Sequence, residues 1–148
     1  MRVSEILRSK SNRLVLISSD ASLKDASTLI LNERVGMVLV NDDQGEIAGT
    51  LSERNLICFI AQKGVDAIRE TVRSAMSNIG LTAAPADSVT DVMRLMTEKR
   101  SRHLPVFDAG KLVGVISIGD ILKSRMAEKD QEAAVPRDIA RFSLAAAA

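Results

Sequence analysis

The chain has 148 residues, with 46% hydrophobic and 26% charged side chains and a formal net charge of +1. That balance suits a soluble globular fold and argues against broad electrostatic binding to nucleic acid or to an acidic membrane. Three Phe with no Trp or Tyr exclude a base-stacking platform, and one Cys (Cys58) with one His (His103) excludes a disulfide framework and a Cys/His zinc site within one chain.

In chain order the first feature is a short opening segment, Val3-Ser4-Glu5-Ile6-Leu7; it lacks the apolar stretch of a secretory signal. Leu14–Ile17 reads as an apolar strand. Ser22, with Asp25 three residues on, looks like a helix-starting capping box, and Leu23, Ala26, Leu29 and Ile30 follow at helical spacing. Met37–Val40 reads as a buried strand, Asn41–Gly45 as a turn and Ile47–Leu51 as the returning strand. A second helix starts at Ser52. Leu56 to Ala61 are all apolar and wrap more than one face of that helix. One core buries one stripe, so the rest predicts a second surface, either the other half of the chain or another copy of it. Cys58 lies in this stretch and reads as packing. Gly64 to Ser77 reads as a linker. No run approaches the ~18 apolar residues of a membrane span, so the expected location is the cytoplasm, with no membrane or nucleic-acid partner.

Beyond the linker the pattern starts again. Val72–Met76 echoes Val3–Leu7, and Ser88 with Asp91 matches Ser22 with Asp25 at an offset of 66 residues. Arg100 matches Arg34 at the same offset, and Gly114–Ile121 matches Gly49–Leu56 at an offset of 65. The lost residue falls in the hairpin turn, Asp108-Ala109-Gly110. The second copy therefore predicts a strand at Gly80–Ala83, a helix with Val89, Val92, Met93 and Met96 on one face, strands at Leu104–Phe107 and Leu112–Ile116, and a helix from Ser117. Strand-helix-strand-strand-helix, written twice, predicts an α/β (α+β) fold: a first copy over 1–65, a second over 66–127 and a partly helical tail over 128–148. The tail is charged from Lys123 to Arg141 and should break near Pro136. Its end, Leu144 to Ala148, carries little information.

The repeated motif has a chemistry of its own. In each copy a strand ending in Gly-x-x-Ser runs straight into a helix, whose unpaired N–H groups and partial positive charge suit a phosphate. The hydroxyl of Ser52 or Ser117 adds a donor. Three residues on stands Asn55 or Asp120. A carboxylate accepts from two vicinal hydroxyls, as on a ribose, and an amide does so less fully. Ser-x-x-Asp and Ser-x-x-Asn are also helix caps in their own right. The glycines form neither a Walker loop nor a dinucleotide fingerprint, which argues against nucleotide hydrolysis.

These residues resemble a tandem pair of cystathionine-β-synthase (CBS) domains, a Bateman module. Ser101–Asp108 followed by Gly110–Ile121 is similar to that family's second-repeat pattern, and Gly49–Leu56 to its first. The likeness covers about residues 1–127, as in small bacterial proteins made only of a CBS pair. The resemblance implies two repeats packed with pseudo-two-fold symmetry and commonly joined into dimers. It implies Ser52 and Ser117 on phosphate, Asp120 (or Asn55) on ribose, and adenine in an apolar slot beside an opening strand. Ligands there include AMP, ADP, ATP, S-adenosylmethionine and NAD-type molecules; none is a required cofactor. It also implies that basic residues ahead of the Leu-Pro-Val strand face the phosphates. Those are Arg102 and His103, opposite Gly36 and Met37 in the first copy, so the Asp120 site is expected to be the better equipped. Gly49 and Leu51, with Gly114 and Ile116, complete the candidate ligand-binding set. Arg54 and Lys123 are helix charges within reach of a phosphate. The expected function is regulatory sensing of an adenine nucleotide by a homodimer that acts on a further protein. The alternative is a dimeric scaffold with a vestigial cleft. A small hydrolase lacks a second His, a nucleophile elbow and a metal cluster.

Overall fold

The computed structural model describes residues 1–11 and 13–132. Helix α1 (Val3–Ser9) opens the chain, followed by strand β1 (Leu16–Ser18), helix α2 (Leu23–Glu33) and the hairpin β2 (Met37–Asn41) and β3 (Ile47–Ser52). Helix α3 (Glu53–Lys63) starts directly from β3, and a 3-10 turn at Gly64–Arg69 leads to the short helix α4 (Val72–Ala75) and strand β4 (Ser77–Asn78). The second copy supplies α5 (Val89–Lys99), the hairpin β5 (His103–Asp108) and β6 (Lys111–Ser117), and α6 (Ile118–Glu132). One sheet has the order β1-β2-β3-β4, with β1 parallel to β2 and the other pairs antiparallel. The other is the β5-β6 hairpin. The two hairpins are the same piece of geometry. Val38 pairs with Leu51 and Leu104 with Ile116, and each register shifts once, after Val40 and after Val106. The shorter second turn is made by Ala109 and Gly110 at φ 49° and 78°, the left-handed pair that a two-residue hairpin demands.

Several local expectations change. Gly80–Ala83 forms no strand; Ala83 makes one parallel bridge to Val106, with hydrogen bonds to Pro105 and Phe107. Ser22 caps α2 by accepting from the Asp25 N–H at 3.1 Å, but Ser88 gives α5 no side-chain cap. The Val89 N–H donates to the Met1 carbonyl instead, at 3.0 Å. Met93 is 37% exposed, while Val89, Val92 and Met96 carry the buried face of α5. The last helix runs to Glu132; Pro136, the tail to Arg141 and the final alanines lie outside the described residues.

Two cores hold the molecule together, and neither follows the chain continuously. Val3, Ile6 and Leu7 of α1 pack with Val89, Met96, Leu104, Ile116 and Ile121. Ala67 and Val72, in the segment that reads as a linker, pack with Leu23, Ile30, Val38, Leu51 and Phe59. Backbone contacts repeat the exchange: Val3 N–H donates to Asp87 O as Val72 N–H donates to Ala21 O. Each opening helix thus covers the core of a hairpin distant in sequence. In α3, Leu56 and Phe59 are 8% exposed. Burial of such side chains is worth roughly 1.5–3 kcal/mol each. Ile57 and Ile60 remain 68% and 45% exposed. Cys58, expected as packing, is exposed because it lies off the stripe that Leu56 and Phe59 bury. Among the described residues no helix is long and apolar enough to cross a membrane.

Candidate functional site

Two cavities open between the copies. The larger, about 620 Å³, is lined by Thr50 and Ser52 of β3, Arg54 and Asn55 of α3, the segment after α4, and Arg100–Pro105 of the second copy. Ser52 is both the last residue of β3 and the cap of α3. Its Oγ accepts from the Asn55 N–H at 3.1 Å, and its own N–H donates to Asn55 Oδ1 at 2.9 Å. A backbone N–H only donates, so that contact fixes which amide atom is oxygen. The Asn55 NH₂ then points to Ser77 Oγ at 3.0 Å. With the Ser52 hydroxyl also donating to Oδ1 at 3.0 Å, the amide oxygen has two donors from its own cap. Arg54, Arg100 and Arg102 line this cavity against one acid, Glu53, a balance that favours an anionic guest.

The smaller cavity, about 220 Å³, is lined by Val115, Ser117 and Asp120 of the second copy and by Lys10, Arg13 and Arg34 from the chain's first part. Asp120 Oδ2 accepts from the Ser117 N–H at 2.9 Å, and Ser117 Oγ accepts from the Asp120 N–H at 3.0 Å. The same Oδ2 accepts from the Lys10 ammonium at 2.7 Å, which also donates to the Val115 carbonyl at 2.9 Å. Partial burial by itself raises the Asp120 pKa. The Lys10 and Ser117 hydrogen bonds and the Lys10 charge outweigh it and hold the carboxyl below its usual value.

Gly36, Met37 and His103 line both cavities. The imidazole lies against Gly36: a Cβ there would come within 2.6 Å of His103 Cε1, so the glycine makes room for the ring. Burial pushes the His103 pKa down; Asp120 and Glu53 pull it up, and Lys10 and Arg102 oppose them.

The expected residues are brought together in a different grouping. Arg102 lines the Ser52–Asn55 cavity and not the Asp120 cavity with which its place in the chain groups it. The reason is the packing of the copies. Arg100 and Arg102 of the second copy face the first copy's motif, and Arg34 of the first faces the second copy's motif. Gly49, Leu51, Gly114 and Ile116 line neither cavity. Leu51 and Ile116 are fully buried in the two cores. A Cβ at Gly49 would lie 2.2 Å from the Ser77 carbonyl oxygen, and one at Gly114 2.9 Å from Leu7 Cδ2, so these glycines admit β4 and α1. Strand alternation accounts for all four, because Thr50 shares a face with Ser52, and Val115 with Ser117. Applied to the motif, the same alternation points to Thr50. The match of Arg100 to Arg34 carried a signal for the arginines. Nothing in the local pattern pointed to Ser77 or Lys10. Lys123 lines neither cavity.

A helix-hairpin-helix unit built twice, with a helix-capping serine facing each of two clefts between the copies, defines a paired-repeat module. The family model for the CBS domain matches residues 3–62 and 72–127, and the chain belongs to that family. It is 25% identical to the CBS domain-containing protein YhcV of Bacillus subtilis over 133 residues, 90% of this chain and 94% of that protein. The structure of the CBS-domain containing protein ATU1752 from Agrobacterium tumefaciens superposes with a TM-score of 0.81 at 31% identity, covering 84% of this chain and 92% of that one. CBSX2 in complex with AMP superposes with a TM-score of 0.71 at 25% identity, covering 86% and 98%.

Proposed function

We propose that the chain is a regulatory, non-catalytic module that senses an adenine nucleotide in the Ser52–Asn55 cavity. The observation that carries this reading is the cavity itself. Its 620 Å³ falls inside the roughly 300–1,000 Å³ usual for small-molecule sites. Three arginines, a serine at a helix start and the apolar Ile79, Leu81 and Pro105 line it. That combination suits phosphate at one end and a purine at the other. The AMP complex of the similar CBSX2 supports the ligand class. Ligand contacts on both copies tie their relative placement to occupancy, which a partner protein then reads.

The reading includes a cytoplasmic homodimer. Ile60 and Val65, 45% and 89% exposed at the end of α3 and just beyond it, support a second copy as the cover of that face. Ile60→Glu should give a folded monomer by light scattering where the wild type is a dimer; a monomeric wild type removes the dimer from the reading. The decisive experiment is a thermal-shift panel of AMP, ADP, ATP, S-adenosylmethionine and NADH. A ligand at ~100 times its Kd adds about 2.7 kcal/mol, which for this size means a shift of very roughly 5–10 °C. No shift at millimolar concentration with any of them leaves a dimeric scaffold in its place.

A further inference from the structure

Each motif residue meets a partner from the segment after an exchanged helix, and the two partners differ in kind. Ser77, after α4, presents a neutral hydroxyl to the Asn55 amide. Lys10, after α1, presents an ammonium to the Asp120 carboxylate, with side chains 31% and 22% exposed. The ammonium does more than lie near the acid. It bridges Asp120 Oδ2 and the Val115 carbonyl, two acceptors 5 positions apart on the wall of one cavity, at 2.7 and 2.9 Å. Asp120 Oδ2 is therefore already bonded to a tethered cation as well as to the Ser117 N–H. The volume left there, about 220 Å³, lies below the roughly 300 Å³ at which small-molecule pockets begin.

We infer that Lys10 is a specificity-determining residue, an internal competitor that closes the Asp120 cavity to nucleosides and leaves each chain one nucleotide site, at Ser52–Asn55. The inference rests on the adenine-nucleotide reading above. A ribose hydroxyl that takes Oδ2 must displace the Lys10 ammonium, and a tethered group competes at a high effective concentration. The carboxylate is intact and its cap is made, so taking away the ammonium frees the acceptor, and taking away the arm enlarges the cavity.

Equilibrium dialysis of the full chain against AMP and ATP, with folding checked by circular dichroism, tests this. The wild type should take one equivalent. Lys10→Ala removes the charge and the arm together and should take two, as should Lys10→Ser. With 2′-deoxy-AMP the second equivalent should disappear and the first remain. Two equivalents on the wild type, or one on the folded variants, overturn the inference. A fall from two to one on Lys10→Ala overturns it as well and makes Lys10 a phosphate contact. Binding to no form of the protein overturns the nucleotide reading, and the inference with it. Should neither variant fold, crystals of the wild type grown with AMP decide. Nucleotide in the larger cavity alone, with Lys10 still on Asp120, is the expected result; nucleotide in both overturns it.

Discussion

Ser52–Asn55 and Ser117–Asp120 are one local structure made twice. Each serine ends a strand and caps a helix, and each partner three residues on returns a bond to the serine N–H, at 2.9 Å in both. Yet one corner opens on about 620 Å³ and the other on about 220 Å³. The motif is therefore not what makes the site. The difference comes from what the rest of the chain lays against it: Ser77 and a row of arginines in one case, the Lys10 ammonium in the other. On the proposed reading the open corner is the nucleotide site, whereas side-chain chemistry alone favours the carboxylate corner. A carboxylate already held by an ammonium offers a ribose less than its charge suggests.

The largest effect expected is from filling the open cavity. Thr50→Trp points an indole into the space above Ser52 and should abolish nucleotide binding by calorimetry, whereas Val115→Trp, at the matching place in the smaller cavity, should leave it. Loss of binding in the second and not the first would exchange the roles of the cavities.

Next comes the cationic wall. Arg100 and Arg34 end α5 and α2 in the left-handed region, at φ 52° and 55°, where a non-glycine residue costs roughly 1–2 kcal/mol. Arg100→Gly should weaken ATP binding by about tenfold or more, from the loss of a charge-assisted contact of roughly 1.5–3 kcal/mol. Its melting temperature should hold or rise, since glycine relieves the backbone. Arg34→Gly should have the same effect on melting and little on binding. Equal binding losses would show that both cavities hold phosphate.

A smaller effect is expected from acid. The folded His103 has a lowered pKa, so below about pH 6.5 the unfolded chain takes up its proton first. Stability from this residue is complete above that pH and falls as pH drops toward the folded value, by no more than ~1.4 kcal/mol per pH unit. Denaturant titrations of His103→Gln should lack this slope. Asp120 acts at lower pH. Its depressed folded value gives stability that is present above about pH 4 and is lost as pH falls through the folded pKa, and Asp120→Asn should remove that loss. A slope unchanged in both variants would contradict the burial and the ion pair.

The smallest effect separates amide from carboxylate. Asn55 Oδ1 is taken by the Ser52 N–H and hydroxyl, so the open site lacks a free acceptor for a ribose diol at that position. Wild-type affinity for 2′-deoxy-AMP and AMP should differ by less than about threefold, under roughly 1 kcal/mol. A loss of tenfold or more would mean that Asn55 reorients on the ligand.

The two hairpins, the helices α2, α3, α5 and α6 around them, the duplication and the serines that cap α3 and α6 were legible in the sequence. Each depends on residues within about four positions of one another, through helix spacing, strand alternation and the reach of a side chain to its own backbone. The family could be recognised from the same residues. Tertiary structure decided the rest. Which copy's arginines face which motif follows from the packing of two copies against each other. The exchange of α1 and α4 between cores turned an apparent linker into core. The contact that separates the two cavities joins Lys10 and Asp120 across 110 positions. An ammonium and a carboxylate so far apart in a chain carry no mark of their meeting, because the bond exists only once α1 has packed beneath Gly114 and brought the lysine to the mouth of the cavity.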